Sequence, residues 1–360
     1  MATMEYKCPN CGGPLSFNPD KQMFSCQYCL SDFQPQQIQA MYAQNEQSET
    51  YDEKEIKAQE RRAARGEGDG DDLVGYTCPS CGAEVVTTAT TAATNCFYCQ
   101  SPVVLGSRLS DAFKPDRVVP FALSKDKAVE TFLKLCGKKK FLPAGFTSKK
   151  QVEKMQGVYF PYWYLDEQLS GALTARGKKE RSWTQGNRRY TETTIFRLFR
   201  AGDMQIMNVF ERALKSNSRE MLQSVHPFDL SKAQPFAMSY LSGFSAEKRD
   251  IEQAEAAPIL DERIKGYAEQ LLKDTINGYQ GVTTESFNHK VFNKRWNYTL
   301  LPVWIVTYKF NGEILPYAIN GQTGKIYGSL PVAMGKLVLW AAIIAILVFI
   351  VCLLGGMLFA

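Results

Sequence analysis

Tyr6-Lys7-Cys8-Pro9-Asn10-Cys11-Gly12-Gly13-Pro14-Leu15, completed by Phe24-Ser25-Cys26-Gln27-Tyr28-Cys29, returns with the same spacing as Cys78-x2-Cys81 and Cys96-x2-Cys99. A shift of 70 positions superimposes all four cysteines, and with them Tyr6 on Tyr76, Pro9 on Pro79, Gly12 on Gly82 and Tyr28 on Tyr98. Two four-cysteine sets follow: Cys8, Cys11, Cys26 and Cys29, then Cys78, Cys81, Cys96 and Cys99. Paired CxxC knuckles about 15 residues apart complete a tetrahedral thiolate shell, which is the pattern of a Zn2+ site. Four protein ligands leave no open position, so each ion stabilises a fold and activates no water. A module of about 30 residues buries too little apolar surface to fold alone, and the metal supplies the difference. Two ions are expected, one per module. The rival readings are disulfides, against which the absence of an apolar signal region in Met1–Lys7 argues, and a single thiolate-bound iron.

The other end of the chain is as distinctive. Leu337 to Ala360 contains no charged residue. At about 1.5 Å per residue such a helix reaches roughly 36 Å, enough to cross the hydrocarbon core. Lys325 and Lys336 precede the span and nothing basic follows it, so the positive-inside tendency leaves the N-terminal part in the cytoplasm, where thiolates stay reduced. The expectation is a single-pass, tail-anchored protein of the cell membrane. Cys352 lies inside the span and reads as an inert apolar residue.

The intervening chain carries mixed α and β patterns. With 360 residues, 45% hydrophobic and a net charge of +5, there is room for one sizeable core besides the small modules. The expected parts are a first ribbon (1–35), a linker (36–75), a second ribbon (76–108), an α+β domain (109–331) and the membrane helix (337–360). The linker has helical composition from Ile38 to Arg65 and flexible composition from Gly66, which would let the ribbons move relative to each other. Ser124 caps an expected helix with Val129, Phe132, Leu133 and Cys136 on one stripe, ended by Gly137. Further helices are expected over Ser148–Gln156 and over Asp261–Ile276, the latter with Ile264, Tyr267, Ala268, Leu271 and Leu272 on one face. Leu301–Phe310, the Asn311-Gly312 turn and Ile314–Ile319 read as an antiparallel meander. A weaker internal echo places Pro161, Trp163 and Gly171 on Pro302, Trp304 and Gly312 after a shift of 141.

Catalytic patterns are missing from the sequence. His226 and His289 belong to no metal, Ser-His-Asp or Cys-His arrangement, and no dinucleotide or phosphate signature appears. Asn320-Gly321-Gln322-Thr323-Gly324-Lys325 lacks the first glycine and the hydroxyl residue of a phosphate loop and reads as a turn. Lys134 to Arg200 holds much of the positive charge, including Lys138-Lys139-Lys140, Arg181, Arg188 and Arg189 around Trp183. Such charge suits anionic lipid or nucleic acid, and equally a solvated sheet face.

The cysteine modules resemble zinc ribbons of the transcription-factor-IIB type. That resemblance implies a small three-stranded sheet carrying two knuckles, which binds protein or nucleic acid. The second copy departs after Cys99, where Gln100-Ser101-Pro102 replaces Leu30-Ser31-Asp32-Phe33. Over nearly its whole length the chain resembles a bacterial family of zinc-ribbon membrane proteins. The phrases Pro235-Phe236-Ala237-Met238-Ser239-Tyr240-Leu241-Ser242-Gly243-Phe244 and Leu301-Pro302-Val303-Trp304 carry the likeness beside the cysteines. This second resemblance implies partners of the phage-shock-protein-A or flotillin-like scaffold kind and a role in envelope stress. The expected function is a non-enzymatic adaptor that recruits a protein partner to the cytoplasmic membrane face. The competing expectation is a membrane-tethered nucleic-acid binder, and oligomeric state is not legible.

Overall fold

The first cysteine module forms β1 (Leu15–Asn18), β2 (Met23–Cys26) and β3 (Asp32–Phe33), an antiparallel sheet in that order. Alternation puts Leu15, Phe17, Phe24 and Cys26 on its buried side. Helix α1 (Pro35–Ser48) follows, with proline at the first helical position, where its missing N–H has no partner to lose. The computed structural model describes residues 5–48, 73–78, 84–88, 90–96, 101–105, 109, 113–143, 146, 152, 154–215, 219–310, 313–328 and 330–359. Most of the expected linker, the Asn311-Gly312 turn and most of the expected helix Ser148–Gln156 lie outside the described residues; Gln156 itself opens a strand.

In the second cysteine module, β4 (Leu73–Thr77) and β5 (Glu84–Thr88) pair with each other. Strands β6 (Thr91–Asn95) and β7 (Pro102–Val104) instead form the outer end of a large mixed sheet. Its order is β11-β8-β13-β9-β12-β6-β7, where β8 is Arg117–Val118, β9 Gln156–Gln185, β11 Gln234–Pro235, β12 Ser245–Glu247 and β13 Gly281–Phe310. Strand β10 (Arg188–Arg212) pairs with β9, β14 (Glu313–Asn320) with β13, and β15 (Ile326–Tyr327) with β14.

Two copies of one unit build this sheet. Helix α2 (Lys125–Gly137) lies between β8 and β9, and helix α4 (Gln253–Asp274) between β12 and β13; the short α3 (Arg219–Ser224) lies between them in the chain. Strand β8 runs parallel to β13 at Thr299 and Leu300, and β12 runs parallel to β9 at Val158 and Tyr159, so each unit lends its leading strand to the other. The Pro161 carbonyl accepts from Ala213 N–H at 3.0 Å, and the Pro302 carbonyl from Gly321 N–H at 2.9 Å. The carbonyls of Ala213 and Gly321 in turn accept from Asp250 and Ile251, and from Ala122 and Leu123. Phe160 faces Leu301 across the antiparallel β9/β13 ladder, and these two residues differ by the same 141 positions as the echo in the sequence. The local two-fold therefore passes through that pair.

One face of the shared sheet packs Tyr159, Trp163, Leu165 and Trp304 with Phe121, Phe132 and the first ribbon. The other buries Phe160, Tyr162, Tyr164, Leu301 and Val303 under α3. Strand β9 has 30 residues, and at about 3.3 Å each it extends roughly 100 Å, so its far half leaves this core as an arm with β10 and β13. Leu272 and Ile276 pack on Leu173, Ala175 and Leu198 of the arm.

Several boundaries differ from the sequence pattern. Helix α4 starts at Gln253 rather than Asp261, because Glu252 and Glu255 cap its first turn and the backbone continues through Pro258. Its buried stripe holds Ile264, Ala268 and Leu272, whereas Tyr267 and Leu271 are exposed. In α2, Ala128 joins Phe132 and Cys136 inside, while Leu133 lies at the surface. Strand β13 begins at Gly281 instead of Leu301, and register shifts between Thr284 and Ser286 and between Val291 and Asn293 break the alternation that would have marked it. Helix α5 (Met334–Phe359) closes the described chain, and its stretch Met334–Val351 is a candidate membrane span.

Candidate metal centre

Each knuckle of the first ribbon is a backbone turn closed by the same pair of hydrogen bonds. Cys8 N–H donates to Gly13 O at 2.6 Å and Gly12 N–H to Cys8 O at 2.8 Å; Cys26 N–H donates to Ser31 O at 3.0 Å and Leu30 N–H to Cys26 O at 3.0 Å. The fifth residue of each turn takes left-handed backbone angles, Gly12 at φ +74° and Leu30 at φ +58°. Glycine adopts that conformation without a Cβ clash, whereas leucine is strained there.

These turns bring the sulfurs of Cys8, Cys11, Cys26 and Cys29 within 4.8 Å of one another. The Cys8–Cys29 and Cys11–Cys26 sulfurs are each 3.5 Å apart. Zn–S bonds of about 2.3 Å set tetrahedral sulfurs roughly 3.8 Å from each other, so the four thiols fit a zinc ion with little adjustment. Ser31 hydrogen-bonds Cys29 through its hydroxyl and backbone and lowers the thiol pKa to about 6, favouring the thiolate that a metal needs. At Cys11 the Gly13 N–H acts in the same direction, but the neighbouring thiols of Cys29 and Cys26 outweigh it and push the group up to about 12. Asn10 donates to the Ser31 hydroxyl at 2.9 Å and ties the two knuckles together. Tyr42 of α1 bonds both backbone groups of Lys7, accepting from N–H at 2.8 Å and donating to O at 3.1 Å.

The first ribbon is seated on the α+β domain. Phe17 N–H donates to Ser242 O at 3.1 Å, the Ser242 hydroxyl donates to Leu15 O, and Tyr240 lies edge-on to Phe17 at 5.4 Å. Gln22 reaches Phe121 O at 2.8 Å, and Lys127 pairs with Asp20 at 2.8 Å. Gly243 has φ +91°, and a Cβ there would stand 2.8 Å from the Ser16 Cβ. Two residues later the same segment becomes β12, which pairs with β6 of the second module. Among the described residues, Met238–Glu247 thus contacts the first ribbon and β6 of the second module.

In the second module Cys78 and Cys96 are buried together with Tyr76, Val103 and Leu105. Cys96 N–H donates to Ser101 O at 2.9 Å, repeating the Cys26–Ser31 bond 70 positions on. Cys81 and Cys99 lie outside the described residues. The centre described is therefore one four-cysteine site and half the frame of a second.

The remaining candidates stand elsewhere. His289 is exposed and stacked on Phe287. His226 is buried at 3.6 Å from Phe210, and burial, followed by the nearby charge of Lys325, lowers its pKa to about 3. Asn320-Gly321-Gln322-Thr323-Gly324-Lys325 is a turn: the Asn320 side chain accepts from Gln322 and Thr323 N–H at 2.8 Å each. Sequence reasoning missed the apolar tip of the second knuckle and, at Trp183 with its arginines, the stacking partner Tyr190. Leu30 is 79% exposed and Tyr28 76%, so the second knuckle presents an apolar tip. At the far end of the arm Trp183 stacks on its cross-strand partner Tyr190 at 5.7 Å, beside Arg181, Arg188 and Arg189.

A protein of Bacillus subtilis (strain 168) whose name reads "Uncharacterized protein YdjG" is 30% identical to this chain over 347 residues, spanning 95% of this chain and 94% of its own length. No family model and no solved structure matches the chain.

Proposed function

The chain belongs to the family of that Bacillus protein, and from this premise we propose that it is a non-enzymatic, membrane-anchored zinc-ribbon adaptor that captures a protein partner. Helix α5 serves as a tail anchor and the ribbons stand on its cytoplasmic side. The observation that carries this reading is the tip of the second knuckle. Leu30 is held in a strained left-handed conformation where the first knuckle has glycine, and it is exposed beside Tyr28. Strain kept at an exposed apolar residue favours a contact made there over a contribution to folding. When bound, zinc fixes the two knuckles relative to each other, and Ser31, Asn10 and Tyr42 hold their backbone in place.

The partner class that the family resemblance implies, a phage-shock-protein-A-like or flotillin-like scaffold acting in envelope stress, is the first to test. Affinity capture from solubilised membranes compares the unaltered chain with Tyr28→Ser/Leu30→Gly. The expected result is loss of a specific partner at unchanged zinc content, and capture of the same partners by both chains removes the adaptor reading. Deleting Leu337–Ala360 should shift the protein from membrane to soluble fractions, and continued membrane fractionation places the anchor elsewhere.

The Trp183/Tyr190 stack with its arginines favours a second reading, binding of nucleic acid by the arm. Salt separates the two. Phosphate contacts lose affinity steeply between low and moderate salt, whereas capture by an apolar knuckle does not. Tight DNA binding with that slope, abolished by Arg188→Gln/Arg189→Gln, selects the second reading.

A further inference from the structure

The basic stretch 134–200 is divided by the fold. Arg176 to Arg189 belong to the arm, but Lys134, Lys138, Lys139 and Lys140 lie at the end of α2, against the start of α5. Ala333 N–H donates to Phe141 O at 2.7 Å, and the Lys336 ammonium donates to Leu142 O at 2.7 Å. The Lys140 ammonium lies 5.7 Å from the centre of the Trp340 ring. Lys134, Lys138, Lys139, Lys140 and Lys336 are all exposed. Neither Thr131–Leu142 nor Gly328–Trp340 contains a carboxylate; the nearest along α2 is Glu130, one turn before Lys134. Trp340 lies one turn beyond Lys336 in α5, a depth at which indole rings settle at a membrane interface.

We propose that Lys138, Lys139, Lys140 and Lys336, flanked by Lys134, form a headgroup site for anionic phospholipid where α5 enters the bilayer. The inference rests on reading α5 as a membrane span. Two observations select lipid as the occupant: the cluster is continuous with the uncharged helix surface, and its charge is of one sign. A basic cluster beside a span is a recognised anionic-lipid signature, here assembled from segments almost 200 positions apart in the chain. The backbone bond to Phe141 and the Lys336 bond to Leu142 fix the loop that carries the lysines to the helix, so they hold their height as the helix sits in the membrane.

The test uses the full chain in nanodiscs of equimolar phosphatidylglycerol and phosphatidylcholine, with native mass spectrometry of the lipids that stay bound. A lysine near a membrane surface contributes roughly fivefold in anionic-lipid affinity, so after screening an enrichment of about tenfold for phosphatidylglycerol is expected. Lys138→Gln/Lys139→Gln/Lys140→Gln should reduce it to below about twofold, while the triple arginine variant, which keeps the charge, retains it. Arg188→Gln/Arg189→Gln on the arm should leave it unchanged. Unaltered enrichment in the glutamine variant, or equal loss in the arm variant, overturns the proposal. Displacement of the lipid by inorganic phosphate also overturns it, by assigning the lysines to a soluble anion. If the chain enters no disc of either composition, the span reading fails and takes this inference with it; entry without enrichment overturns the lipid site alone.

Discussion

Trp163 and Trp304 make the same hydrogen bond from the two halves of the sheet. The Trp163 indole donates to Ile251 O at 2.9 Å and the Trp304 indole to Leu123 O at 3.0 Å, and each acceptor lies two residues before the helix of the opposite unit. Both rings are nearly buried, at 6% and 5% exposure, so a lost donor leaves a carbonyl without its partner in the core. Trp163→Phe and Trp304→Phe should each cost about 1–3 kcal/mol in denaturant midpoint measurements. The hydrogen-bond part of the two losses should be similar, because each removes an indole donor from the same kind of backbone acceptor, while the ring surroundings differ: Arg249 lies over Trp163 at 5.2 Å, and Trp304 packs on Phe121 and Phe244. A loss well below that range at either site would show that the indole hydrogen bond contributes little there.

The seat of the first ribbon on Ser242 and Tyr240 predicts coupling between the modules. Cys26→Ser should lower bound zinc by one equivalent and loosen β1 and β2, which carry Phe17 and Phe24. Those rings pack on Tyr240 at 5.4 and 6.2 Å, a few residues before β12 in the chain. Hydrogen exchange at Ala246, where β12 meets β6, should therefore accelerate although the substitution lies in the other module. Unchanged protection at Ala246 alongside lost zinc would show that the ribbon folds independently of its seat.

The parts of this fold that sequence made legible are those with strong local chemistry. Cysteine spacing announces the knuckles, because ligand geometry tolerates little variation, and the uncharged run Leu337–Ala360 announces α5. The duplicated unit was nearly silent. Its equivalences run through backbone groups, the carbonyls of Pro161 and Pro302 and those of Ala213 and Gly321, which accept hydrogen bonds whatever side chain is present. Pro-x-Trp is the visible echo among the described residues; the third match, Gly171 with Gly312, involves a residue outside them. Met238–Glu247 overlaps the phrase Pro235–Phe244 that carries the family likeness, but its role was silent there, since it meets Ser16, Leu15 and Ala93, which are more than 150 positions earlier in the chain. The apolar tip at Leu30 could have been found by aligning the two knuckles of one ribbon, where leucine stands in the place of Gly12.

Leu30→Gly separates strain from contact. A left-handed conformation costs a β-carbon-bearing residue about 1–2 kcal/mol, offset in part by the greater chain entropy of glycine in the unfolded state. With φ at +58° and the side chain 79% exposed, little packing is lost. The variant should gain about 0.5–1 kcal/mol in thermal or denaturant stability with zinc retained, and it should bind its partner less well. Lower stability with unaltered capture would assign Leu30 to the fold and not to recognition.

His226 sets a pH dependence of known sign. Burial holds its folded pKa at about 3, against about 6.5 in the unfolded chain, so the unfolded state binds the extra proton throughout that window. Stability from the neutral imidazole is thus complete above the unfolded value and is lost progressively as the pH falls from about 6.5 toward the folded value. Lowering the pH from about 7.5 to about 5 should cost about 2 kcal/mol from this residue alone. Proton competition for the zinc thiolates adds a second acid sensitivity, so the comparison needs a variant. His226→Phe removes the titrating group and keeps a planar ring against Phe210 and Tyr162. The difference between the two proteins in denaturant midpoint across that pH range isolates the histidine contribution, and parallel curves would show that the imidazole is already accessible to protons in the folded state.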